Sequence, residues 1–371
     1  MKTGIVTLYN PSDYGNRLQN YAMHRILSEL GLECETLVPR QHKKTQYRRR
    51  RENAVRELYH KDPAEAQMKS PAITRQIRFE EFENRHLPVR KLNTLNFSQE
   101  LAEEYRWLVT GGDRVWDPWL RDNLGKMDNN LLAFGQSRQR RCMSPSVAAD
   151  SLPEHLRHQY HSQWSRFPWL NVRFPEDARL IRGITGREAE ILPDPVLLID
   201  PAHWQALMRP LPDFNEQEPF CLIWMGDNTE ITGETDKRIG ELTGNTSMRR
   251  YFLGNRGEAP VSAAGPLEFL YLVKNARTVV TDSYFGVVFA VIFGKPFVYT
   301  VPHETCSADT CAVTRQVTST LELLKVPYIA VKDCLWASEF AAVFPERARS
   351  IDLLKKMFHL NRTTTEEVSC R

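Results

Sequence analysis

The sequence predicts an α/β protein of two domains, each with a sheet of parallel strands covered by helices. Short apolar runs that suit buried strands alternate with helix-like segments in both halves of the chain, a pattern typical of doubly wound folds. The chain has 371 residues, more than the roughly 250–300 at which one hydrophobic core usually stops growing. We therefore expect an N-terminal α/β domain over residues 1–205, a C-terminal α/β domain over residues 206–345, and a helix and tail over residues 346–371.

The start of the chain has the order strand, loop, helix, strand. Residues 4–9 are a short apolar run that suits a buried strand, and residues 10–17 (NPSDYGNR) are rich in turn formers. Residues 18–30 carry apolar side chains at helical spacing, with Gly31 as a stop signal, and residues 33–38 form the next predicted strand. This order is the opening of a doubly wound α/β domain.

The rest of the first half contains further short strands. Residues 106–110 (RWLVT) form a buried strand that ends in a Gly-Gly pair, and strands are also predicted over residues 144–149 and 169–173. Residues 189–195 end this half of the chain. The polar, proline-rich residues 209–219 are typical of a segment that joins domains.

The second half repeats the α/β pattern and ends in a helix. Predicted strands cover residues 220–225, 278–281 and 297–301, and predicted helices cover residues 234–243, 266–275, 284–293 and 346–360. The pattern assigns no element type to residues 247–253. Two α/β domains in tandem followed by a long helix are typical of GT-B-like transferases. We expect two Rossmann-like domains in such an arrangement, with an interdomain cleft between the carboxyl ends of the two sheets.

Composition narrows the class of protein. The net charge of +3 is too small to indicate nucleic-acid binding. No apolar stretch approaches the roughly 18 residues that span a bilayer, and the N-terminus has no signal-peptide pattern. The seven cysteines are odd in number and mostly isolated, which favours a reduced, cytoplasmic protein.

Two local features leave alternatives open. The basic run over residues 40–51 (RQHKKTQYRRRR) is either a solvated loop or helix face, or a contact with anionic lipid headgroups or a phosphorylated carrier. A contact with headgroups would place the protein at the inner face of the membrane. Cys306 and Cys311, with His303 upstream, lack the closer pairing and fourth ligand that a zinc site needs. We therefore expect no metal and no cofactor.

Five segments, in order along the chain, resemble the polysaccharide pyruvyltransferase family. They are NPSDYGNRLQNYAMHRILSELG, LVTGGDRVWDP, the NVR of residues 171–173, ILPDPVLLID, and PLEFLYLVKNARTVVTDSYFGVVFAVIFGKPFV. The resemblance implies a GT-B-like fold. It also implies transfer of a pyruvyl group from phosphoenolpyruvate to two hydroxyls of a sugar, as a ketal, with release of phosphate. The implied acceptor is a glycan or a lipid-linked sugar.

The predicted donor site lies at a strand-to-helix turn, residues 281–286 (TDSYFG). Free N–H groups at a helix start bind anions, so Ser283, Phe285 and Gly286 are candidate donor-binding residues, with a simple cap and tight turn as the alternative. The resemblance also assigns Arg173 to the donor, as a bidentate ligand for carboxylate or phosphate, unless it forms a structural salt bridge. The glutamate that usually follows this arginine in the family is Phe174 here.

The chain departs from the family at the catalytic acid. The family's histidine, which the resemblance implies acts as acid or donor ligand, is Phe285 in this chain, and phenylalanine has no proton to give. Tyr284 and His303 are the candidate replacements. An unperturbed phenol, with a pKa near 10, is a poor acid at neutral pH. His303 is alternatively a structural or exposed histidine.

Acceptor binding is predicted on the N-terminal domain. Asn16 and Arg17 follow the first strand and point toward the expected cleft, unless they only fix their own loop. Asp113 follows the Gly-Gly pair and either accepts a sugar hydroxyl or stabilises its turn. Trp116 is a candidate for stacking on a sugar, with a place in the core as the alternative.

The sequence therefore predicts a pyruvyltransferase-like enzyme, with two alternatives. The same scaffold could use another donor, such as a nucleotide sugar, or could be a binding protein without catalysis, because function belongs to the site and not to the fold.

Overall fold

The structure is a computed structural model. It describes residues 2–40, 46–149, 151–215, 217–226, 231–243, 248–301, 308–331, 334–338, 340–344 and 347–360. Within these ranges the side chains of residues 46–51, 243, 308–311 and 331 are not described.

The strands and helices alternate through both halves of the chain. The strands are β1 (Lys2–Val6), β2 (Cys34–Val38), β3 (Val89–Lys91), β4 (Tyr105–Gly111), β5 (Arg140–Met143), β6 (Asn171–Val172), β7 (Glu190–Ile191), β8 (Phe220–Trp224), β9 (Arg249–Phe252), β10 (Thr278–Thr281), β11 (Phe297–Thr300), β12 (Ile329–Val331) and β13 (Cys334–Ala337). The helices are α1 (Tyr14–Glu29), α2 (Gln46–Lys61), α3 (Pro63–Lys69), α4 (Pro71–His86), α5 (Gln99–Glu103), α6 (Met127–Asn130), α7 (Glu154–Ser165), α8 (Pro175–Thr185), α9 (Pro201–Ala206), α10 (Gly233–Thr243), α11 (Pro266–Asn275), α12 (Tyr284–Ile292), α13 (Ala308–Leu323) and α14 (Arg347–Met357).

The N-terminal sheet is parallel throughout its described strands, in the order β3-β2-β1-β4-β5. Ile5 in β1 pairs with Thr36 in β2 and with Val109 in β4. Because parallel strands end at one edge of a sheet, the loops after β1 and β4 meet at the carboxyl edge. That edge forms one wall of the cleft described below.

The C-terminal sheet has the order β12-β13-β11-β10-β8-β9 among its described strands. Strands β8, β9, β10 and β11 are parallel, and β13 runs antiparallel to both β11 and β12. Helix α12 follows β10 directly, so its first turn lies at the carboxyl edge of this sheet.

The two halves share a continuous apolar core. Tyr14, at the start of α1, stacks on Phe269 of α11 with ring centroids 4.9 Å apart, and its hydroxyl donates to the Ala264 carbonyl at 2.7 Å. Ile5 of the first sheet and Phe297 of the second belong to the same cluster of buried side chains. The sheets therefore pack as one body around α1, α11 and α12.

The last helix returns to the N-terminal sheet. The Arg141 guanidinium donates from Nε to the Met357 carbonyl at 2.6 Å, and Phe358 packs edge-on against Trp107. Arg347, at the other end of α14, donates to the Leu198 carbonyl at 2.8 Å. A parallel and a mostly parallel α/β sheet, a cleft between their carboxyl edges and a returning C-terminal helix make up the GT-B-like arrangement predicted from the sequence.

Most predicted elements are confirmed, some to the residue. Helix α11 and strand β10 coincide with the predicted segments, and Gly31 follows α1 with a φ of 78° as its stop. The strand predicted over residues 144–149 is wrong, because the edge strand is β5, and residues 144–149 follow it as irregular chain. Sequence reasoning also gave no element for α13, β12 or β13.

The basic run is only partly described. Residues 41–45 lie outside the described residues, and residues 46–51 form the first part of α2 without described side chains. No helix in the described part of the chain is long and apolar enough to cross a membrane.

Candidate active site

A cavity of about 250 Å³ lies between the carboxyl edges of the two sheets. Its N-terminal wall comes from the loops after β1 and β4 and from α1, and its C-terminal wall comes from the start of α12 and from α13. The lining side chains are those of Leu8, Asn10, Asp13, Asn16, Gln19, Asp113, Arg114, Leu120, Asp122, Asp282, Ser283, Tyr284, Phe285 and Val313.

The C-terminal wall presents the open end of α12. The backbone N–H groups of Tyr284, Phe285 and Gly286 have no acceptor among the described residues, whereas the N–H of Ser283 donates to Thr281 Oγ1 at 3.0 Å. Ser283 is the N-cap residue by its backbone, but its side chain makes no capping hydrogen bond. Unpaired N–H groups and the helix dipole together favour an anion at this point.

Gly286 allows α12 to approach the end of β10. A Cβ atom at this position would lie 2.3 Å from Thr281 Oγ1, closer than real side chains come. The missing side chain of Gly286 therefore lets the helix start sit against the strand that precedes it, and the predicted donor contact of Gly286 would come from its backbone N–H.

Phe285 joins the two walls of the cleft. It is 6% exposed, and its ring occupies the space in front of Gly15, where a Cβ atom would lie 1.9 Å from Phe285 Cδ2. Phe285 therefore makes an apolar contact between α12 and the start of α1, next to the open N–H groups.

Tyr284 lies at the bottom of the cleft and is poorly suited to give a proton. Its hydroxyl accepts from Thr320 Oγ1 at 3.4 Å, and its ring packs against the Arg173 guanidinium at 5.4 Å. Burial raises the pKa of Tyr284 well above the ordinary phenol value, so its proton is held more tightly at neutral pH than that of a free tyrosine.

Arg173 lies behind the cleft wall. Its guanidinium is buried, and Nη1 contacts Asp113 Oδ1 at 2.8 Å and Asp194 Oδ2 at 3.1 Å. These two carboxylates raise the pKa of Arg173 against the opposing effect of burial. Arg173 does not line the cavity, so it acts here as a positioning residue for Asp113 and does not itself reach a donor in this conformation.

One carboxylate oxygen of Asp113 is fixed by hydrogen bonds, and the other has no partner among the described residues. Its Oδ1 accepts from Arg173, from Gln316 Nε2 at 3.2 Å and from Ser146 Oγ at 3.4 Å, and its backbone N–H donates to Gln19 Oε1 at 2.7 Å. Oδ2 has no partner among the described residues, and the side chain lines the cleft. The side chain is therefore oriented so that one oxygen can accept a hydroxyl.

Asp13, which sequence reasoning did not select, lies opposite the start of α12. It is the N-cap of α1, and its Oδ1 accepts from the Asn16 N–H at 2.7 Å. Burial raises the pKa of Asp13, and the Asn16 hydrogen bond and Arg17 oppose that effect only in part. A carboxyl with a raised pKa in a cleft is a candidate general acid. The sequence signal was present, since Asp13 is a helix-capping residue in the loop after the first strand.

Of the two predicted loop residues, only Asn16 lines the cleft. Its Oδ1 accepts from the Asn10 N–H at 3.1 Å and from Arg17 Nη2 at 2.7 Å. Arg17 itself is buried, with Nη1 3.3 Å from Glu83 Oε2 and its guanidinium over the Tyr9 ring. Arg17 thus fixes the loop, which was the alternative role considered for it.

The predicted sugar-stacking role of Trp116 is wrong for this structure. Trp116 is fully buried against Trp164 and Phe167, and its indole N–H donates to the Asn130 carbonyl at 3.0 Å. Three residues later, Trp119 is 60% exposed, immediately before the cleft-lining Leu120. Trp119, and not Trp116, is therefore the exposed tryptophan of this loop.

Carboxylates dominate the described cleft wall. Asp13, Asp113, Asp122 and Asp282 line it, and the lining arginine, Arg114, is engaged by Asp117 with Nε 2.8 Å from Oδ2. The described residues include no group of three or more His, Cys, Asp or Glu side chains that could hold a metal. His303 and Cys306 lie outside the described residues, as does the side chain of Cys311.

The chain is similar at low identity to several solved structures. Two structures of UDP-GlcNAc 2-epimerase from Methanocaldococcus jannaschii align over 97% of this chain and 100% of theirs, with 12% and 11% identity and TM-scores of 0.47 and 0.49. Arabidopsis thaliana UGT89C1, solved with UDP-L-rhamnose, aligns over 96% of this chain and 94% of its own, with 12% identity and a TM-score of 0.33. These likenesses are too low to transfer an activity.

The family is defined by sequence. The family model for polysaccharide pyruvyl transferase matches residues 13–304, and the chain belongs to this family. No curated protein sequence matches the chain. The matched region includes most of the cleft-lining residues, and Leu8, Asn10 and Val313 lie outside it.

Proposed function

We propose that this protein transfers a pyruvyl group from phosphoenolpyruvate to two hydroxyls of a glycan or lipid-linked sugar. One hydroxyl adds across the enol double bond while a proton goes to the methylene carbon. The second hydroxyl then displaces phosphate, which takes up its proton, and a cyclic ketal remains. The proposed class of reaction rests on the membership of the chain in this family.

The observation that best supports this proposal is a cleft whose two walls differ in chemistry. Three N–H groups at the start of α12, which have no acceptor in the described part of the chain, suit the phosphate or carboxylate of the donor. Opposite them, carboxyl and amide side chains suit the hydroxyls of a sugar. The exposed Trp119, next in sequence to the cleft-lining Leu120, would pack against the apolar face of that sugar. The C-terminal domain is thus the donor side and the N-terminal domain the acceptor side.

Asp13 and Asp113 take the proton-transfer roles in this proposal. Asp13, whose pKa is raised by burial, gives the proton to the methylene carbon in place of the histidine that Phe285 replaces. Asp113, fixed by Arg173 and Gln316, orients and receives the acceptor hydroxyl through Oδ2. Tyr284 and His303, the acids considered from the sequence, are the competing assignments.

The test is acceptor-dependent phosphate release. Purified protein is incubated with phosphoenolpyruvate and a panel of cell-envelope glycans and lipid-linked sugars. We expect phosphate release and a ketal product with at least one acceptor, and both to be lost in Asp13→Asn. Failure of every acceptor, with phosphoenolpyruvate also leaving the Tm unchanged, would contradict the proposal.

One observation favours a second candidate, a binding protein without catalysis. Phe285 has no ionisable group and fills the space before Gly15 at the centre of the cleft. In that case Phe285→His, and not the wild type, would form the ketal from phosphoenolpyruvate. Activity in the wild type excludes this candidate.

The membrane contact through residues 40–51 and the cytoplasmic location stay predictions. Sedimentation with vesicles containing anionic lipid tests the contact: replacing Arg48, Arg49 and Arg50 with Ala should release the protein if the run binds headgroups.

A further inference from the structure

A second, larger cavity lies at the opposite end of the N-terminal sheet. Its volume is about 580 Å³, and it sits where β4 and β5 begin, whereas the cleft lies where β4 ends. The side chains that matter are Arg106, Trp107, Arg138, Arg141, Pro168 and His359. The volume falls within the roughly 300–1,000 Å³ typical of small-molecule sites.

Arg141 is a buried cation in this cavity for which the described residues supply no counter-ion. It is 2% exposed, and its Nε and Nη1 donate to the main-chain carbonyls of Met357, Arg138 and Arg140. Its Nη2 has no acceptor among the described residues, and no described carboxylate lies within 4.0 Å of the guanidinium. Burial lowers the pKa of Arg141 to about 10. A buried charge is costly unless a partner compensates it, so an anion would be stabilised here.

The neighbouring cations add to this charge. Arg106 and Arg138 are exposed and form no salt bridge with a described residue. Arg106 and Arg141 both lie against the Trp107 ring, at 5.3 Å and 3.9 Å from its centroid, and the His359 ring lies 6.2 Å from it. The described cavity wall has one carboxylate, Glu103, against three arginines.

The walls between these cations are mostly apolar. Trp107 and Pro168 supply flat hydrophobic surface beside the arginine side chains. An anion held by the guanidinium groups would therefore leave the rest of its molecule against a surface that favours a ring or an apolar group.

We propose that this cavity is a second ligand site, separate from the transferase cleft, for a phosphate-bearing small molecule of nucleotide size. The phosphate of this ligand contacts Arg141 Nη2, Arg106 and Arg138. Its ring system, which in a nucleotide is the base, packs against Trp107 and Pro168. Nothing in this assignment depends on the donor or acceptor of the cleft.

Isothermal titration of the full chain tests the site with three probes: adenosine monophosphate, inorganic phosphate and adenosine. We expect adenosine monophosphate to bind at least tenfold more tightly than either fragment, because only it uses both the cations and the apolar wall. If it binds no more tightly than inorganic phosphate, or if none of the three binds, the proposal is wrong.

Matched arginine variants locate the binding. Arg138→Ala and Arg106→Ala remove exposed side chains that make no described salt bridge, so the fold should be kept, and each should weaken adenosine monophosphate binding about fivefold or more. Arg179→Ala, on the exposed face of α8, removes the same charge elsewhere and should leave binding unchanged. Equal losses in Arg138→Ala and Arg179→Ala would overturn the proposal. Asp13→Asn, which changes the cleft, should not affect this binding, so the two proposals can fail independently.

Discussion

Asp13 has two roles at one residue, helix cap and proposed acid, and a single substitution separates them. Asparagine caps helices as well as aspartate does, so Asp13→Asn keeps the hydrogen bond from the Asn16 N–H but has no acidic proton. We expect ketal formation to fall roughly 10²–10⁴-fold with the Tm unchanged, measured by turnover and thermal melting.

The pH dependence distinguishes Asp13 from a merely structural residue. Because burial raises the pKa of Asp13, its protonated form persists to a higher pH than in a free aspartate. Wild-type turnover should therefore fall as pH rises through this pKa, and the residual turnover of Asp13→Asn should lack that limb. An unchanged profile in Asp13→Asn would remove Asp13 from the proton-transfer role.

Gly15 and Phe285 form a packing pair across the cleft. A methyl group at residue 15 would overlap the Phe285 ring, so Gly15→Ala should lower the free energy of unfolding by about 1–3 kcal/mol. In a Phe285→Ala background the same change should cost far less, because the ring is gone. Denaturant unfolding of the four proteins gives the coupling, and additive effects would show that the contact is unimportant.

The burial of the Asp177 carboxyl makes the stability of the folded protein depend on pH. Its Oδ1 accepts from the Val147 N–H at 3.1 Å, its Oδ2 has no partner in the described structure, and burial raises its pKa to about 7. The folded state therefore holds this proton from about pH 4 to about pH 7 while the unfolded state loses it, so stability declines as pH rises through that window. Relative to Asp177→Asn, the wild type should lose about 2 kcal/mol between pH 5 and pH 8 in urea unfolding. A constant difference would contradict this.

At the scale of elements, the position of the first turn of α12 depends on its close approach to the end of β10. Gly286→Ala would place a Cβ atom 2.3 Å from Thr281 Oγ1 and push the helix start away from the strand. We expect weaker phosphoenolpyruvate binding by titration together with a lower Tm. The control is Gly183→Ala in α8, where a Cβ atom meets nothing within 4 Å and where alanine should stabilise the helix by about 0.4–1 kcal/mol.

The loop after β4 carries the exposed aromatic side chain of the acceptor side. Trp119→Ala should raise the KM for the acceptor severalfold and leave the KM for phosphoenolpyruvate and the Tm unchanged, because the ring is 60% exposed. Trp116→Phe is an uninformative substitute, since Trp116 is a core residue. Equal effects on both substrates would place Trp119 outside the acceptor site.

The sequence predicts strands and helices correctly where their buried side chains are apolar, and misses a strand whose buried side chains are polar. Strand β10 and helix α11 are hydrophobic runs with clear ends, and the sequence predicts both correctly. Strand β5 begins with Arg140 and Arg141, which are buried by hydrogen bonds to carbonyl oxygens, and an apolar pattern cannot reveal that. The Trp116 assignment fails for a related reason, because spacing does not say which side chains of an irregular loop face the core.

At the scale of the whole molecule, the shared core limits how the cleft can change. Tyr14 contacts Phe79 of the N-terminal half and Phe269 of the C-terminal half, and its hydroxyl donates to a carbonyl beyond the cleft. The two sheets should therefore unfold together. The position of the cleft followed from topology alone, whereas the burial of Arg173 depends on Asp113 and Asp194, which are distant in sequence and meet only in the fold.

The central claim, pyruvyl transfer in this cleft, is tested most directly by running the reaction in deuterated water and examining the product by NMR. The account predicts a ketal whose methyl group carries one deuterium, formed together with phosphate and lost in Asp13→Asn. A product without that methyl group, or phosphate release that does not depend on the acceptor, would contradict it.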